Sequence, residues 1–410
     1  MKFLKKTVMV FLCVMLLTST VGCQIPFVGE WKKPAVKNAE AIPKIAFGEQ
    51  SLTEKSPVIF TEEELLGEEL VADDYRGSYH FDRLSDERRL VYTALEYALE
   101  NGYPYVYVDE KIISRSEALG DVLERLALDS PLLEQNLSYQ TGEFTTYYDV
   151  KGSSAELTGC YIKVDNFDSR HWKKKMEAVE AAKDLIAALP KGMSEKDTAE
   201  YLHRLMLDNI DYYDYSDKQG KIGNYLYDAL ITGETHCDGS ANAYSLLLNL
   251  AGIQCLEKQY TGENTVGHTW NMANLDGKWY NIDATAVEER DSEDYDYRVR
   301  KLFAFSDKAQ QYTPDFSASY PEATDDLGMK INAEITRFDA NDFVRRVKTA
   351  YRENNEEYAC FIVYNFNESV AERGMKMLAN ELDSAVYWIL YEGKDEANKN
   401  KAILVVFSEK

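Results

Sequence analysis

The pair Asp276-Gly277 constrains this chain more than any other two residues. Asp-Gly between alternating apolar and polar residues is the strongest short signal of a hairpin closed by a two-residue type I′ turn. Such a turn fixes the register, so that Leu275 faces Lys278, Trp270 faces Asp283 and His268 faces Thr285. His268 and Asp283 then lie on one face of the hairpin as diagonal neighbours, with backbones about 7–8 Å apart. A carboxylate at that distance can hold the imidazole.

Upstream, Cys237 stands where a loop becomes a helix. Gly233 and Thr235 break the preceding pattern, and Ala243, Leu246, Leu247 and Leu250 recur at helical spacing. Gly252 is placed to cap the far end. A thiol at a helix N-terminus feels the positive end of the dipole, which favours the thiolate. Thiol, imidazole and carboxylate are the parts of an activated nucleophile, so the expected catalytic residues are Cys237, His268 and Asp283.

At these residues the stretch resembles the bacterial transglutaminase-like superfamily, whose core is similar to that of papain-like thiol enzymes. The marks are Cys237-Asp238-Gly239 opening a helix, Gly267-His268-Thr269-Trp270-Asn271, and Asp276-Gly277-Lys278-Trp279-Tyr280 leading to Asp283. The resemblance covers about residues 170–310. It implies an α+β fold in which the helix carrying the Cys packs on an antiparallel sheet carrying His and Asp. It also implies Cys237 as nucleophile, His268 as base and Asp283 as orienting acid. Trp270 and Gly239 are assigned to substrate binding. Ser240 and Ala286 stand where family members often carry Tyr and Trp, so the acyl-binding cleft is expected to differ in shape. No EF-hand-like acidic loop is present, so the calcium dependence of animal relatives is not carried over. No metal site and no cofactor are expected, since a thiolate and an imidazole suffice for acyl transfer.

The chain begins with Lys2, Lys5 and Lys6, an uncharged apolar run from Thr7 to Leu17, then small residues and Gly22-Cys23. The run is too short for a bilayer of ~30 Å, so residues 1–22 are read as a signal peptide. Thr20-Val21-Gly22-Cys23 resembles a bacterial lipobox, with Thr20 in place of the usual Leu, and implies lipidation at Cys23. Localisation on the extracytoplasmic face of a bacterial membrane follows as an expectation. Removing residues 1–22 strips three lysines and no acids, taking the net charge from −24 to −27. That balance argues against nucleic acid and against electrostatic docking on anionic lipid. The expected partners are a peptide or protein substrate and, through the lipid, the membrane.

Of six cysteines, Cys160, Cys237, Cys255 and Cys360 remain after Cys13 leaves with the signal and Cys23 is lipidated. There is no CxxC pair, which speaks against a structural zinc or redox motif. Cys255 reads as buried packing, and a bridge between Cys160 and Cys360 stays open.

Residues 23–78 carry Pro26, Pro34, Pro43 and Pro57 with many acids, and are read as a tether. Residues 79–168 read as an α+β segment, with a helix after Ser85, a strand from Tyr103 to Val108 and a helix from Ser116 to Leu128. Strands at Tyr147–Val150 and Leu157–Val164 complete it. The catalytic domain, 169–312, opens with a helix from Ser169 to Leu189 and a second capped by Ser194 and Asp197. Pro314 and Pro321 mark a linker, and residues 328–410 alternate strands and helices as a small α/β domain. Among the remaining histidines, His203 is expected to be packed or at the surface. His236 is given no role because neighbouring side chains at a helix start point apart. His80 and His171 lack candidate partners and are expected to be exposed.

Three functions remain open: a thiol acyl-transfer enzyme, a catalytically silent surface-binding module, and a lipoprotein serving a transporter or assembly through its C-terminal domain. The complete set Cys237, His268 and Asp283 favours the enzyme. Hydrolysis and crosslinking share one acyl-enzyme and are not separable from sequence.

Overall fold

The computed structural model describes residues 77–101, 105–109, 117–132, 142–151, 154–164, 169–213, 225–260, 267–286, 290–292, 294–311, 314, 320–355, 357–382, 384–394 and 400–408. The signal peptide, Cys23 and the tether up to residue 76 lie outside the described residues.

The centre is the helix Cys237–Leu250, with every residue from Gly239 to Asn249 buried. Its composition explains this: Ala243, Tyr244, Leu246, Leu247 and Leu248 leave it no polar face. The helices Ser169–Ala187 and Glu195–Asn209 cover one side of it. Ser194 caps the second of these, accepting a hydrogen bond from Asp197 N at 3.1 Å. On the other side lies an antiparallel sheet of β6 (Cys255–Tyr260), β7 (His268–Leu275) and β8 (Lys278–Ile282), in the order β6-β7-β8. This is the mixed helix-and-sheet architecture that the sequence implies.

Polar ties fix the helix to the sheet. Asn242 donates to the buried Glu257, Asn271 Nδ2 donates to Ala241 O at 2.9 Å, and Cys255 N donates to Asn249 Oδ1 at 2.9 Å. Buried groups of this kind are costly unless paired, so they specify one seating of the helix.

The turn at Asp276-Gly277 has the expected geometry. Both residues have positive φ, 52° and 83°, as a type I′ turn requires. Leu275 pairs with Lys278 and Asn271 with Ile282. The ladder ends there, and Asp283 N turns away to donate to Leu302 O at 2.9 Å. Asp283 therefore sits just past the strand, held at the end of the helix Tyr295–Leu302.

The N-terminal segment contains the helices Asp86–Asn101 and Glu117–Asp129 and an antiparallel sheet of Tyr105–Asp109, Ser154–Val164 and Gly142–Lys151. Its helix boundaries follow the sequence reading to within a residue or two, whereas the first hairpin is longer than expected. Gly77 and Ser78, assigned to the tether, are in fact packed. Gly77 lies so close to β6 that an added Cβ would meet Cys255 O at 2.4 Å, and Ser78 Oγ accepts from Gln254 at 2.7 Å. His80, expected to be exposed, is wholly buried, with Nδ1 at 2.6 Å from the buried Asp129 Oδ1. Its partner is 49 residues away and was invisible to local pattern reading.

The C-terminal part is a four-stranded sheet ordered Val386–Lys394, Asn400–Ser408, Tyr358–Tyr364, Ala333–Ile335. Only the last pair is parallel. One face, with Ala359, Phe361, Val363, Leu404 and Val406, packs on the helices Ala340–Glu353 and Glu368–Leu382. The other, with Tyr358, Cys360, Ile362, Val405 and Phe407, shares a core with Trp270, Phe305 and Met329. This sheet thus covers a face of the central domain. In the segment read as a linker, Tyr320 and Ala323 are packed in a separate small core with Leu128, Leu256 and Met272. Phe305 forms a two-way bridge with Asn281 at 2.9 Å in each direction. Cys360 and Cys255 are buried free thiols.

Candidate active site

The site is built where the first turn of the Cys237 helix meets the start of β7. Cys237 opens its helix and keeps partial exposure, while the residues from Gly239 to Asn249 are enclosed. Asp238 accepts a hydrogen bond from Thr269 Oγ1, which locks that first turn to the strand residue next to His268. The nucleophile and the base are thereby set in register by their immediate neighbours.

His268 Nε2 lies 2.7 Å from Asp283 Oδ2. With that nitrogen committed to the carboxylate, the other ring nitrogen is left for the Cys237 thiol, which His268 also hydrogen-bonds. Asp283 accepts Thr285 N at 3.0 Å through its second oxygen, so both carboxylate oxygens are aimed.

The electrostatics follow from these contacts. Burial alone would raise the Cys237 thiol, but hydrogen bonds from His236 and His268 bring it below the ordinary thiol range. Burial would also suppress charge on His268, yet the Asp283 carboxylate and the thiol raise it well above the ordinary imidazole value. Asp283 is desolvated and is still held down at about 2, chiefly by the charge of His268. The contacts therefore shift both groups toward the thiolate–imidazolium form, the direction a prepared nucleophile needs. Burial pushes Cys255 upward and Cys360 up to about 12, so neither is a comparable nucleophile.

Two residues assigned to substrate binding have other places. Gly239 is buried, and a Cβ there would meet Thr235 Oγ1 at 1.9 Å and Tyr225 O at 3.0 Å. It permits close packing of the helix start and offers no surface to a substrate. Trp270 is only 3% exposed and its ring stacks on the His268 imidazole, with centroids 5.9 Å apart and planes 18° apart. Its Nε1 donates to Asn281 Oδ1 at 3.1 Å. Trp270 is thus a wall that sets the ring of the base. Asn281 Oδ1 also accepts from the buried Lys258 Nζ at 3.0 Å, and Lys258 pairs with Asp307 at 2.9 Å.

His203 and His236 matter more than the sequence indicated. His203 is fully buried, and its Nε2 donates to the Asp283 carbonyl at 2.9 Å. Burial lowers its pKa to about 4, so it is a neutral donor steadying the backbone of the acid. His236 caps the Cys237 helix, with Nδ1 accepting Asp238 N at 3.1 Å. That cap turns its ring back over the helix start, so adjacent side chains do not diverge as expected. Ligand atoms of His236, Cys237 and Asp238 lie within 4.8 Å of one another. The signal available in sequence was a His standing at an N-cap position.

Residues 184–284 match the profile of the Transglutaminase-like superfamily. Kyphoscoliosis peptidase of Homo sapiens is 36% identical over 69 residues, 14% of this chain and 10% of that protein. The chain thus spans about a tenth of that relative's length. Among solved structures, a TGase is similar at 16% identity over 47% of this chain and 53% of that chain, with a TM-score of 0.25. The periplasmic domain of TgpA from Pseudomonas aeruginosa is similar at 16% identity over 32% and 54%, with a TM-score of 0.22. The Cys237 thiol, the His268 imidazole and the Asp283 carboxylate thus all fall within the one stretch, residues 184–284, that is similar to the Transglutaminase-like superfamily.

Proposed function

We propose that the chain is a thiol acyl-transfer enzyme using Cys237, His268 and Asp283, held on the extracytoplasmic face of a bacterial membrane by a lipid on Cys23. The observation that carries the chemistry is the convergence on one imidazole of a carboxylate at 2.7 Å and a partly exposed thiol at a helix N-terminus. The Cys237 sulfur attacks the carbonyl carbon of a peptide or glutamine-type amide. The C–N bond breaks, and the proton held by His268 goes to the departing nitrogen. The resulting thioester is released when water or an amine attacks it. His268 takes the incoming proton and the thiolate leaves. Asp283 keeps the ring aligned and favours the imidazolium throughout. The helix N-terminus favours the negative sulfur before and after the cycle.

The test is incubation of the full chain with an acyl-amide library, with and without added amine. Released acid without amine, replaced by acyl-amine product with it, supports acyl transfer through Cys237. Absence of both products, with the folded protein binding the same peptides, supports the silent module instead. For the anchor, a fatty-acid analogue should tag the wild-type chain in cells and not Cys23→Ala. Release of an untagged wild-type chain into the medium contradicts the lipid.

A further inference from the structure

The imidazole of His268 is held at one point by Asp283 and along one plane by Trp270. The point is Nε2, 2.7 Å from Asp283 Oδ2. Rotation about the Cβ–Cγ bond moves Nδ1 more than Nε2, and that torsion is broad in histidine. The carboxylate alone therefore leaves the sulfur-side nitrogen room to swing. The Trp270 ring takes that freedom away. The two residues are two apart on β7 and so share a face, with ring planes 18° apart. What fixes the indole in turn is a buried amide on β8.

We propose that Asn281 is a positioning residue of the acyl-transfer site, locking the Trp270 indole and through it the plane of the His268 ring. The proposal rests on the reading of His268 as base. The Asn281 side chain is fully buried. Its Oδ1 accepts Trp270 Nε1 at 3.1 Å and Lys258 Nζ at 3.0 Å. Its Nδ2 donates to Phe305 O at 3.2 Å and to Asp307 Oδ1 at 2.9 Å. Both accepting and both donating positions are thus used, and a flipped amide would set N–H groups against Trp270 and Lys258. An amide with one allowed orientation is a rigid anchor for the indole N–H.

The anchor is braced by its neighbours. Lys258 stands opposite Trp270 in the β6–β7 ladder. Its buried ammonium lies 2.9 Å from Asp307 Oδ1 and 5.8 Å from the centre of the Trp270 ring. Asp307 Oδ2 accepts Ala323 N at 2.8 Å, and the Asn281 backbone exchanges hydrogen bonds with Phe305 in both directions. A buried ion pair is often no better for stability than apolar side chains of similar volume, and what it supplies is one fixed arrangement. Here that arrangement ends on the base. Loosening the indole lets Nδ1 leave its line to the sulfur, which weakens both the hold on the thiolate and proton delivery to the departing nitrogen.

The test reads the base without a substrate. Iodoacetamide alkylation of Cys237 is followed by peptide mass spectrometry across pH in the full chain, for wild type, Trp270→Phe, Asn281→Leu and His80→Ala. Trp270→Phe keeps a ring beside His268 and loses the donor to Asn281. Asn281→Leu removes the anchor. His80→Ala removes a buried ring outside the site and serves as the control for lost stability. At mildly acidic pH, alkylation should be about tenfold slower in Asn281→Leu and about threefold slower in Trp270→Phe, with His80→Ala on the wild-type curve. The curves should merge above the ordinary thiol pKa of about 8.5. On any amide that the wild type turns over, kcat should fall in Asn281→Leu while KM holds. Should Asn281→Leu fail to fold, Trp270→Phe decides alone. A profile for Trp270→Phe, or for a folded Asn281→Leu, that superimposes on wild type overturns the proposal, and so does a shift that His80→Ala shares. Shifted profiles with no turnover of any amide by the wild type support the positioning and contradict the enzyme reading. Turnover by the wild type with unshifted profiles does the reverse.

Discussion

Two His–Asp pairs in this molecule are nearly identical as pairs and differ in everything around them. His268 and Asp283 meet at 2.7 Å, and His80 and Asp129 meet at 2.6 Å. At the first pair the imidazole is part-exposed and its second nitrogen is offered to a thiol. At the second, both side chains are fully buried, and the Asp129 carboxylate also accepts His80 N at 3.1 Å, Phe81 N at 3.0 Å and Tyr92 Oη at 3.3 Å. One pair stands beside a partly exposed thiol. The other fastens the start of the described chain to the helix Glu117–Asp129 and so to the central sheet. A carboxylate holding an imidazole is therefore a structural device, and only what meets the other nitrogen makes it chemical.

The comparison breaks most sharply on removing the imidazoles. His268→Ala should lower turnover by about 10³-fold or more, since the thiolate loses its proton carrier, with little change in the unfolding midpoint. His80→Ala should do the opposite. It leaves Asp129 a buried carboxylate without its ring partner, at a cost of about 3–5 kcal/mol in urea unfolding, with kcat within twofold of wild type. Equal loss of turnover in both variants contradicts the distinction.

The second-largest effect concerns register. One residue inserted into the Asp276-Gly277 turn shifts the pairing that runs from Leu275–Lys278 to Asn271–Ile282, and so displaces Asp283, which follows directly after β8. Asp283→Asn is milder: the ring can still be held, but the wrong tautomer is tolerated. The expected loss is on the order of 10–10³ for Asn and more for the insertion. Circular dichroism checks that both are folded, and near-wild-type turnover in a folded insertion variant would mean that the pair is not as described.

The smallest effect belongs to His203, which supports Asp283 from behind. Its folded pKa is depressed to about 4, below the unfolded value of about 6.5. The unfolded chain thus takes up a proton before the folded one, and stability is fully present above about 6.5 and lost as pH falls toward 4. The full shift corresponds to about 3 kcal/mol for this buried group. Urea midpoints at both ends of that window should converge for His203→Gln, which can still donate to the Asp283 carbonyl without titrating. His203→Leu should lower kcat several-fold while leaving KM little changed, and a pH-independent midpoint in the wild type would remove the effect.

Local grammar explains what was readable from sequence. The type I′ turn is specified by two residues, and the pairing from Leu275–Lys278 to Asn271–Ile282 follows from turn chemistry. The expected pairs Trp270–Asp283 and His268–Thr285 do not form, because the ladder ends at Ile282 and Asp283, tied to Leu302 O, reaches His268 from beyond the strand. Helices capped by Ser194 and closed at Gly252 were legible for the same reason. What escaped depends on contacts distant in sequence. Asp129 reaches His80 across 49 residues, and Asp283 O reaches His203 across 80. Trp270 looked like a substrate wall because nothing local reveals that the sheet containing Tyr358–Tyr364 buries it. His236 was misjudged through a general rule about adjacent side chains that an N-cap conformation overrides, its backbone being extended at φ −102° and ψ −171°.

The most direct measurement of the central claim is the competition among thiols for one reagent in the native full chain. Iodoacetamide at limiting concentration and near-neutral pH should mark Cys237 first and heavily, with Cys255 and Cys360 unmarked until unfolding. The first is lowered by His236 and His268, whereas the other two are buried and raised. Mapping of the labelled peptides by mass spectrometry gives the ratio directly. Labelling of Cys237 at the same rate as the buried thiols would contradict a prepared thiolate, and with it the account of this site.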